Sequence, residues 1–286
     1  MIACDVVQMR VPHGTRMDTL HTIDDLVPWH GCTFVPTMGA LHAGHCALIR
    51  QGVSSGHPVV VSIFVNPSQF APHEDFNSYP RPLEADIAAA QAAGAAAVFV
   101  PTMETIYPTD DPPVTPPLPS VATAPGLEDQ WRPDFFAGVC QVVARLFDLV
   151  QPSHAVFGEK DWQQLQVLTA IVQADTSRFP LQIISGETVR DADGLALSSR
   201  NAYLRGDQRH RALALHRALQ IAQSVPDVQE AQQAMLAELA AAALNVHYAV
   251  IRDAATLETP MDPHGPRRAL IAGSVDSIRL IDNGPV

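Results

Sequence analysis

Through its first two thirds the chain alternates short, β-branched apolar runs with longer stretches of helical spacing, and no other feature narrows the fold as much. Thr33-Phe34-Val35, Val59-Val60-Val61-Ser62-Ile63-Phe64-Val65, Ala97-Val98-Phe99-Val100, Ala155-Val156-Phe157 and Leu181-Gln182-Ile183-Ile184 read as strands. Helical patterns intervene. Cys46-Ala47-Leu48-Ile49 offers a buried face, and Pro82 to Ala93 carries proline in its first turn and stops before Gly94. Gly138 to Val150 and Lys160 to Val172 are again apolar at helical spacing. This alternation predicts an α/β fold built on a doubly wound, mostly parallel sheet. Ligands of such sheets sit at the carboxyl ends of the strands.

Two segments depart from the pattern. Prolines 108, 112, 113, 116, 117, 119 and 125 forbid regular structure between Tyr107 and Pro125, which predicts either an ordered extended loop or a mobile lid. After about residue 186, helical stretches at Arg209 to Ser224 and Val228 to Leu244 precede weak strands at Val246–Arg252, Arg268–Ala272 and Ile278–Ile281. These predict a smaller α+β domain over 187–286, hinged near Gly186 to Gly194, after a first domain over 1–186.

Composition excludes several classes. A chain of 286 residues, 47% hydrophobic and 17% charged, is long and apolar enough to bury a large core. A net charge of −12 argues against a nucleic-acid partner and demands a locally positive pocket for any anionic substrate. Cys4, Cys32, Cys46 and Cys140 are scattered without a C-x-x-C pair, which fits reduced thiols. Met1-Ile2-Ala3-Cys4-Asp5 lacks the basic and apolar start of a secretory signal, and no apolar run approaches the ~20 residues that span a bilayer. The expectation is a cytoplasmic protein with no membrane partner.

Four clusters carry chemistry. Pro36-Thr37-Met38-Gly39-Ala40-Leu41-His42-Ala43-Gly44-His45 follows a strand and opens a helix, whose unpaired N–H groups and positive dipole end suit a phosphate chain. His42 and His45 can donate to phosphate oxygens, and Gly39 and Gly44 let a ligand approach the backbone. A bare H-x-x-H equally fits a turn with two solvated histidines, and no third ligand stands nearby at metal spacing. Asn66-Pro67-Ser68-Gln69-Phe70 sets two amides at a strand end, or forms an ordinary Asn-Pro turn.

Gly158-Glu159-Lys160-Asp161 opens another helix. Lys160 can reach a phosphate, Gln164 lies one turn further on the same face, and Asp161 can pair with a ribose hydroxyl or with Lys160. A capped helix with a surface charge pair is the plain alternative. Leu197-Ser198-Ser199-Arg200-Asn201 offers two hydroxyls and a guanidinium to a polyphosphate, or a serine helix cap. Three of the four clusters follow strands of one sheet. Local coincidence explains each of them and explains the set poorly.

The same clusters, with Tyr79-Pro80-Arg81, the stretch FFAGVCQVVARLFDLVQP and DGLALSSRNAYL, make the chain similar nearly end to end to the pantothenate synthetase (pantoate–β-alanine ligase) family. That family resembles the HIGH-motif nucleotidyltransferases, so the resemblance implies a Rossmann-like first domain with a C-terminal lid. It implies ATP-dependent condensation of (R)-pantoate with β-alanine to pantothenate through a pantoyl adenylate, with Mg²⁺, in a homodimer. Residue by residue it implies an ATP site at Met38, Gly39, Ala40, Leu41, His42, Ala43, Gly44 and His45, with His45 catalytic and His42 its companion. Gly158, Glu159, Lys160 and Asp161 continue that site, closed by Val189, Leu197, Ser198, Ser199 and Arg200. Lys160 and Arg200 join the histidines in catalysis, while Gln69, Gln164 and Asn66 hold pantoate or β-alanine.

Asp86 matches a position linked to magnesium, although its acidic neighbour is Ala85 here. Arg132-Pro133-Asp134-Phe135-Phe136 replaces the family's usual Arg-Pro-Gly-His-Phe, and Trp162 stands where Phe or Tyr is common. A nucleotidylyltransferase without an amine acceptor, or a non-catalytic nucleotide-binding homologue, are the competing readings. The Gln69 and Gln164 pair disfavours the first; the presence of His45, Lys160 and Arg200 disfavours the second.

Overall fold

The computed structural model describes residues 17–70, 76–262 and 264–286, so Cys4 and the start Met1–Asp5 lie outside the described residues. The first part of the chain winds strands β1 (Asp18–Leu20), β2 (Thr33–Thr37), β3 (Val59–Ile63), β4 (Ala97–Phe99), β5 (His154–Gly158) and β6 (Gln182–Gly186) into one parallel sheet of order β1-β4-β3-β2-β5-β6. Helices α1 (Ile23–Leu26), α2 (Ala43–Val53), α3 (Leu83–Ala93), α4 (Met103–Ile106), α5 (Glu128–Trp131), α6 (Phe135–Val150) and α7 (Trp162–Ala174) connect them.

Strand side chains alternate between two apolar layers, as the pleat requires. Phe34, Val60, Phe99 and Phe157 join a cluster with α6 and α7, whereas Val35, Val61, Val98 and Val156 join one with Ile49 of α2 and Ala90 of α3. Both faces are covered, which is why these strands are apolar runs and not alternating ones. Strand order reverses between β2, which leads to β3 and β4, and β5, which leads to β6. The crevice above that reversal is where a ligand of such a sheet sits.

The second part follows Gly186. Helices α8 (Asp207–Ala212), α9 (Ala214–Ser224) and α10 (Val228–Ala241) pack on an antiparallel sheet β7-β8-β9, formed by β7 (Asn245–Asp253), β8 (Arg267–Val275) and β9 (Ile278–Pro285). Leu215, Leu219, Met235, Leu239, Ile251 and Ile271 make its own core. Leu257 and Leu270 instead join the core of the first sheet, so the two parts share an apolar seam.

The parallel sheet and the α+β end match the expected fold, with local differences. The single helix expected over Arg209 to Ser224 is two, α8 and α9, joined at Leu213. Lys160 lies in a 3₁₀ turn, Glu159–Asp161, and α7 begins only at Trp162. Tyr107 to Pro125 runs as a loop with one 3₁₀ turn at Ser120–Ala122. It is anchored where Gln141 Nε2 donates to Pro113 O at 2.9 Å and where Val121 and Ala122 are buried. No described helix is long and apolar enough to cross a membrane.

Candidate active site

The chain leaves β2 through a turn with two consecutive left-handed residues, Gly39 (φ 77°) and Ala40 (φ 50°). Asp86 of α3, 2% exposed, holds that turn by accepting Ala40 N–H at 2.9 Å and Leu41 N–H at 2.7 Å. A Cβ on Gly39 would stand 2.8 Å from Asp86 Oδ2, so glycine is required for space as well as for φ.

His42 caps α2, and its Nδ1 accepts Gly44 N–H at 3.1 Å. His45 Nδ1 in turn accepts His42 N–H at 3.3 Å. With both Nδ1 atoms acting as acceptors, each neutral ring carries its proton on Nε2 and offers that edge as a donor. The rings lie 4.1 Å apart, centroid to centroid. Burial, then the charges of His42 and Lys160, pushes His45 down to about 3; burial, then Lys160, lowers His42 as well. Both imidazoles are therefore neutral donors at pH 7.

A cavity of about 260 Å³ opens above the β2/β5 reversal. Met38, His42, Gly44 and His45 line it from the β2 side, and Gly158, Lys160, Asp161 and Gln164 from the β5 side. Val189, Leu197, Ser198, Ser199 and Arg200 line it from the second part, and Asn66 and Gln69 from the end of β3. It adjoins a larger cleft of about 1180 Å³ that shares Lys160, Asp161, Gln164, Ser198 and Arg200. Lys160 Nζ and Asp161 Oδ1 stand 3.9 Å apart, a loose pair that a ligand can enter. Ser198 Oγ accepts Arg200 N–H at 3.3 Å and so caps the following turn, while Ser199 Oγ lies 3.4 Å from Tyr79 OH. The four sequence clusters converge on one space.

The profile of the family described as pantoate-beta-alanine ligase matches residues 18–285. The chain is 44% identical over 254 residues to a pantothenate synthetase of Bradyrhizobium sp. (strain BTAi1 / ATCC BAA-1182), covering 87% of this chain and 88% of that protein. It is 47% identical over 259 residues to the pantothenate synthetase of Stenotrophomonas maltophilia (strain K279a), covering 87% and 89%. The chain belongs to the pantoate–β-alanine ligase family. Pantothenate synthetase from Thermus thermophilus superposes with a TM-score of 0.87 at 42% identity over 94% of this chain and 99% of that one. The ligase from Francisella tularensis, complexed with βγ-ATP and β-alanine, superposes with a TM-score of 0.76 at 28% identity over 94% and 98%.

Three of the residues expected to bind ligand in a ligase of this family are committed elsewhere. Asp86, expected near the metal, uses both carboxylate oxygens to brace the turn. Asn66, 1% exposed, accepts Tyr107 OH at 2.7 Å and Ser68 Oγ at 3.0 Å and donates to Gly138 O, so its amide builds the Pro67–Gln69 turn. Glu159 turns its carboxylate to Arg268 Nη2 at 2.8 Å and does not line the cavity. Gly39, Ala40, Leu41 and Ala43 shape the turn without lining the cavity themselves.

Other site-building residues are invisible to motif reading. Val139, Val142 and Val143 give the cavity an apolar wall on α6, and in the sequence they read only as helix core. Gly138 lets α6 press against Ser68, since a Cβ there would fall on the Ser68 carbonyl. Arg132 Nη2 donates to Gln69 O at 2.9 Å, and its guanidinium lies 3.8 Å from the centroid of Phe135. In the sequence Gly138 marks only the start of a helical pattern; its place inside α6 is what makes the contact with Ser68 visible.

Proposed function

We propose that this chain condenses (R)-pantoate with β-alanine to pantothenate, at the expense of ATP, through a pantoyl adenylate. One observation carries this reading: two neutral imidazoles, Lys160 and the amides of Gln69 and Gln164 share a single cavity. Cationic and N–H donors on one side suit a polyphosphate. Amides beside the Val139, Val142 and Val143 wall suit a small hydroxy acid bearing methyl groups.

In the first step a pantoate carboxylate oxygen attacks the α-phosphorus of ATP. The new O–P bond forms as the bridging P–O bond breaks, and its electron pair leaves with pyrophosphate. Both reactants are anions, so His42 and His45 donate through Nε2–H while Lys160 and Arg200 supply positive charge. In the second step the neutral amine of β-alanine attacks the activated carbonyl. The C–N bond forms, the C–O bond to the phosphate breaks, AMP departs with the pair, and the ammonium proton passes to solvent. No covalent enzyme intermediate is needed.

Asp86 is not offered as a protein ligand for Mg²⁺, because both its carboxylate oxygens brace the turn. Any Mg²⁺ arrives as part of the ATP substrate. Residues 1–186 form the ATP and pantoate domain in this reading, and residues 187–286 a lid that keeps water from the adenylate. The working assembly is a homodimer in the cytoplasm, checked by light scattering and by cell fractionation.

Product analysis with ATP, Mg²⁺ and pantoate, with and without β-alanine, tests the activity. AMP, pyrophosphate and pantothenate appear together only when β-alanine is present. ADP as the nucleotide product would mean phosphoryl transfer and sink the adenylate route. ATP binding without turnover would leave a non-catalytic homologue.

A further inference from the structure

Two adjacent residues of β9 send buried polar side chains to opposite sides of the strand. Asp282, 2% exposed, takes Arg190 in a two-pronged pair: Nη1 to Oδ2 at 2.7 Å and Nη2 to Oδ1 at 2.9 Å. Asn283, 3% exposed, donates Nδ2–H to the carbonyl oxygens of both Glu159 (3.0 Å) and Lys160 (2.7 Å). Its Oδ1 accepts Arg268 Nε–H at 2.5 Å. Arg268 also donates to Glu159 and lies 3.5 Å from the centroid of Trp162.

Each partner leads to a different wall of the polyphosphate site. Arg190 donates to Gly194 O at 3.0 Å and bridges to Ala196, and Leu197 N–H donates to Val189 O at 2.9 Å. That small loop runs directly into Leu197–Arg200. Glu159 and Lys160 lie in a 3₁₀ turn ahead of α7, and the Asn283 amide ties that turn to β9 through its two carbonyls. Asp282 and Asn283 border the adjoining larger cleft but do not line the cavity that holds the histidines.

We propose that the Asp282-Asn283 pair is a positioning device that fixes Lys160 and the Ser198-Ser199-Arg200 segment at the separation that adenylyl transfer needs. This rests on the function proposed above. A misplacement of roughly 1 Å can cost about a hundredfold in rate, and a rigid dipeptide on one strand holds both walls against such drift. Pyrophosphate leaves in the first half-reaction, so the spacing of these walls matters there and not in amide formation.

The experiment measures the two half-reactions separately in Asn283→Asp and Asp282→Asn. The first variant keeps the acceptor for Arg268 and removes both N–H donors; the second keeps the shape and removes the charge that fixes Arg190. Pantoate-dependent ATP–pyrophosphate exchange reads the first half. Single-turnover amide formation from preformed pantoyl adenylate and β-alanine reads the second. Exchange falls by at least about tenfold in each variant while amide formation stays within about twofold. The ratio of the two rates cancels the fraction of folded enzyme, so partial unfolding does not mimic the result. Equal loss in both halves, or loss in neither, would overturn the positioning role. A wild-type enzyme unable to perform either half would overturn the functional reading and this inference with it.

Discussion

At His45 one backbone hydrogen bond to Nδ1 decides which nitrogen carries the proton, and burial decides that the ring stays neutral. The second fact has a consequence for stability. The folded-state pKa is lowered to about 3 from 6.5, so between those values the unfolded chain binds more protons than the folded one. Stability is fully kept above pH 6.5 and falls as pH drops through this window. His45→Gln therefore flattens the pH dependence of unfolding by about 1.4 kcal/mol per pH unit inside the window, checked by denaturant titration across acidic pH. The H-x-x-H spacing marks the candidate but cannot distinguish solvated rings from these. Burial is a property of the packed molecule: the ring's neighbour Lys160 arrives from another strand.

At the scale of the element, the β2–α2 turn is held by a helix that follows it by some forty residues. Asp86→Ala leaves Ala40 and Leu41 N–H groups without their acceptor and destabilises the fold by about 1–3 kcal/mol. The loss of thermal stability is the same with and without Mg²⁺, whereas a metal-ligand role would make it Mg²⁺-dependent. Gly138→Ala drives α6 off the Ser68 carbonyl and shifts the Gln69 turn. Steady-state kinetics then show a KM for pantoate raised several-fold, with the KM for ATP little changed.

Elements were legible where an apolar β-branched run met a Gly or Pro boundary, as at β2 and β3, or where helical spacing lay between Pro82 and Gly94, as at α3. β1 was not, because it has three residues and two are exposed. Nor was the α8/α9 break, since Leu213 carries no signal of its own. Asn66 and Glu159 looked like ligand groups because the partners that satisfy them, Tyr107 and Arg268, stand 41 and 109 residues away. Spacing reports neighbours along a helix or strand and is silent about partners across the fold.

Across the whole molecule, the C-terminal sheet is pinned to the first part through Glu128. Arg279 Nη1 and Nη2 donate to its carboxylate at 2.8 and 2.6 Å, and Tyr248 OH donates at 2.7 Å. Burial, reinforced by Glu128, raises the Tyr248 hydroxyl well above 10, so it remains a donor. Arg279→Met takes the two-pronged cation from a carboxylate that is 7% exposed, leaves it with Tyr248 OH and Arg132 at 3.9 Å, and costs about 1–3 kcal/mol in urea unfolding. Adding Glu128→Gln recovers part of that loss. The strand order carries a further consequence, this one kinetic. β2 and β5 are neighbours, with Thr33 beside His154, so their pairing closes a loop spanning nearly half the chain. Closure of that length is entropically costly and comes late, because nearer contacts such as β3 with β4 form across shorter loops. His42 and Lys160 stand on opposite sides of that seam. During refolding, the chain regains most of its backbone structure before it regains a catalytic site.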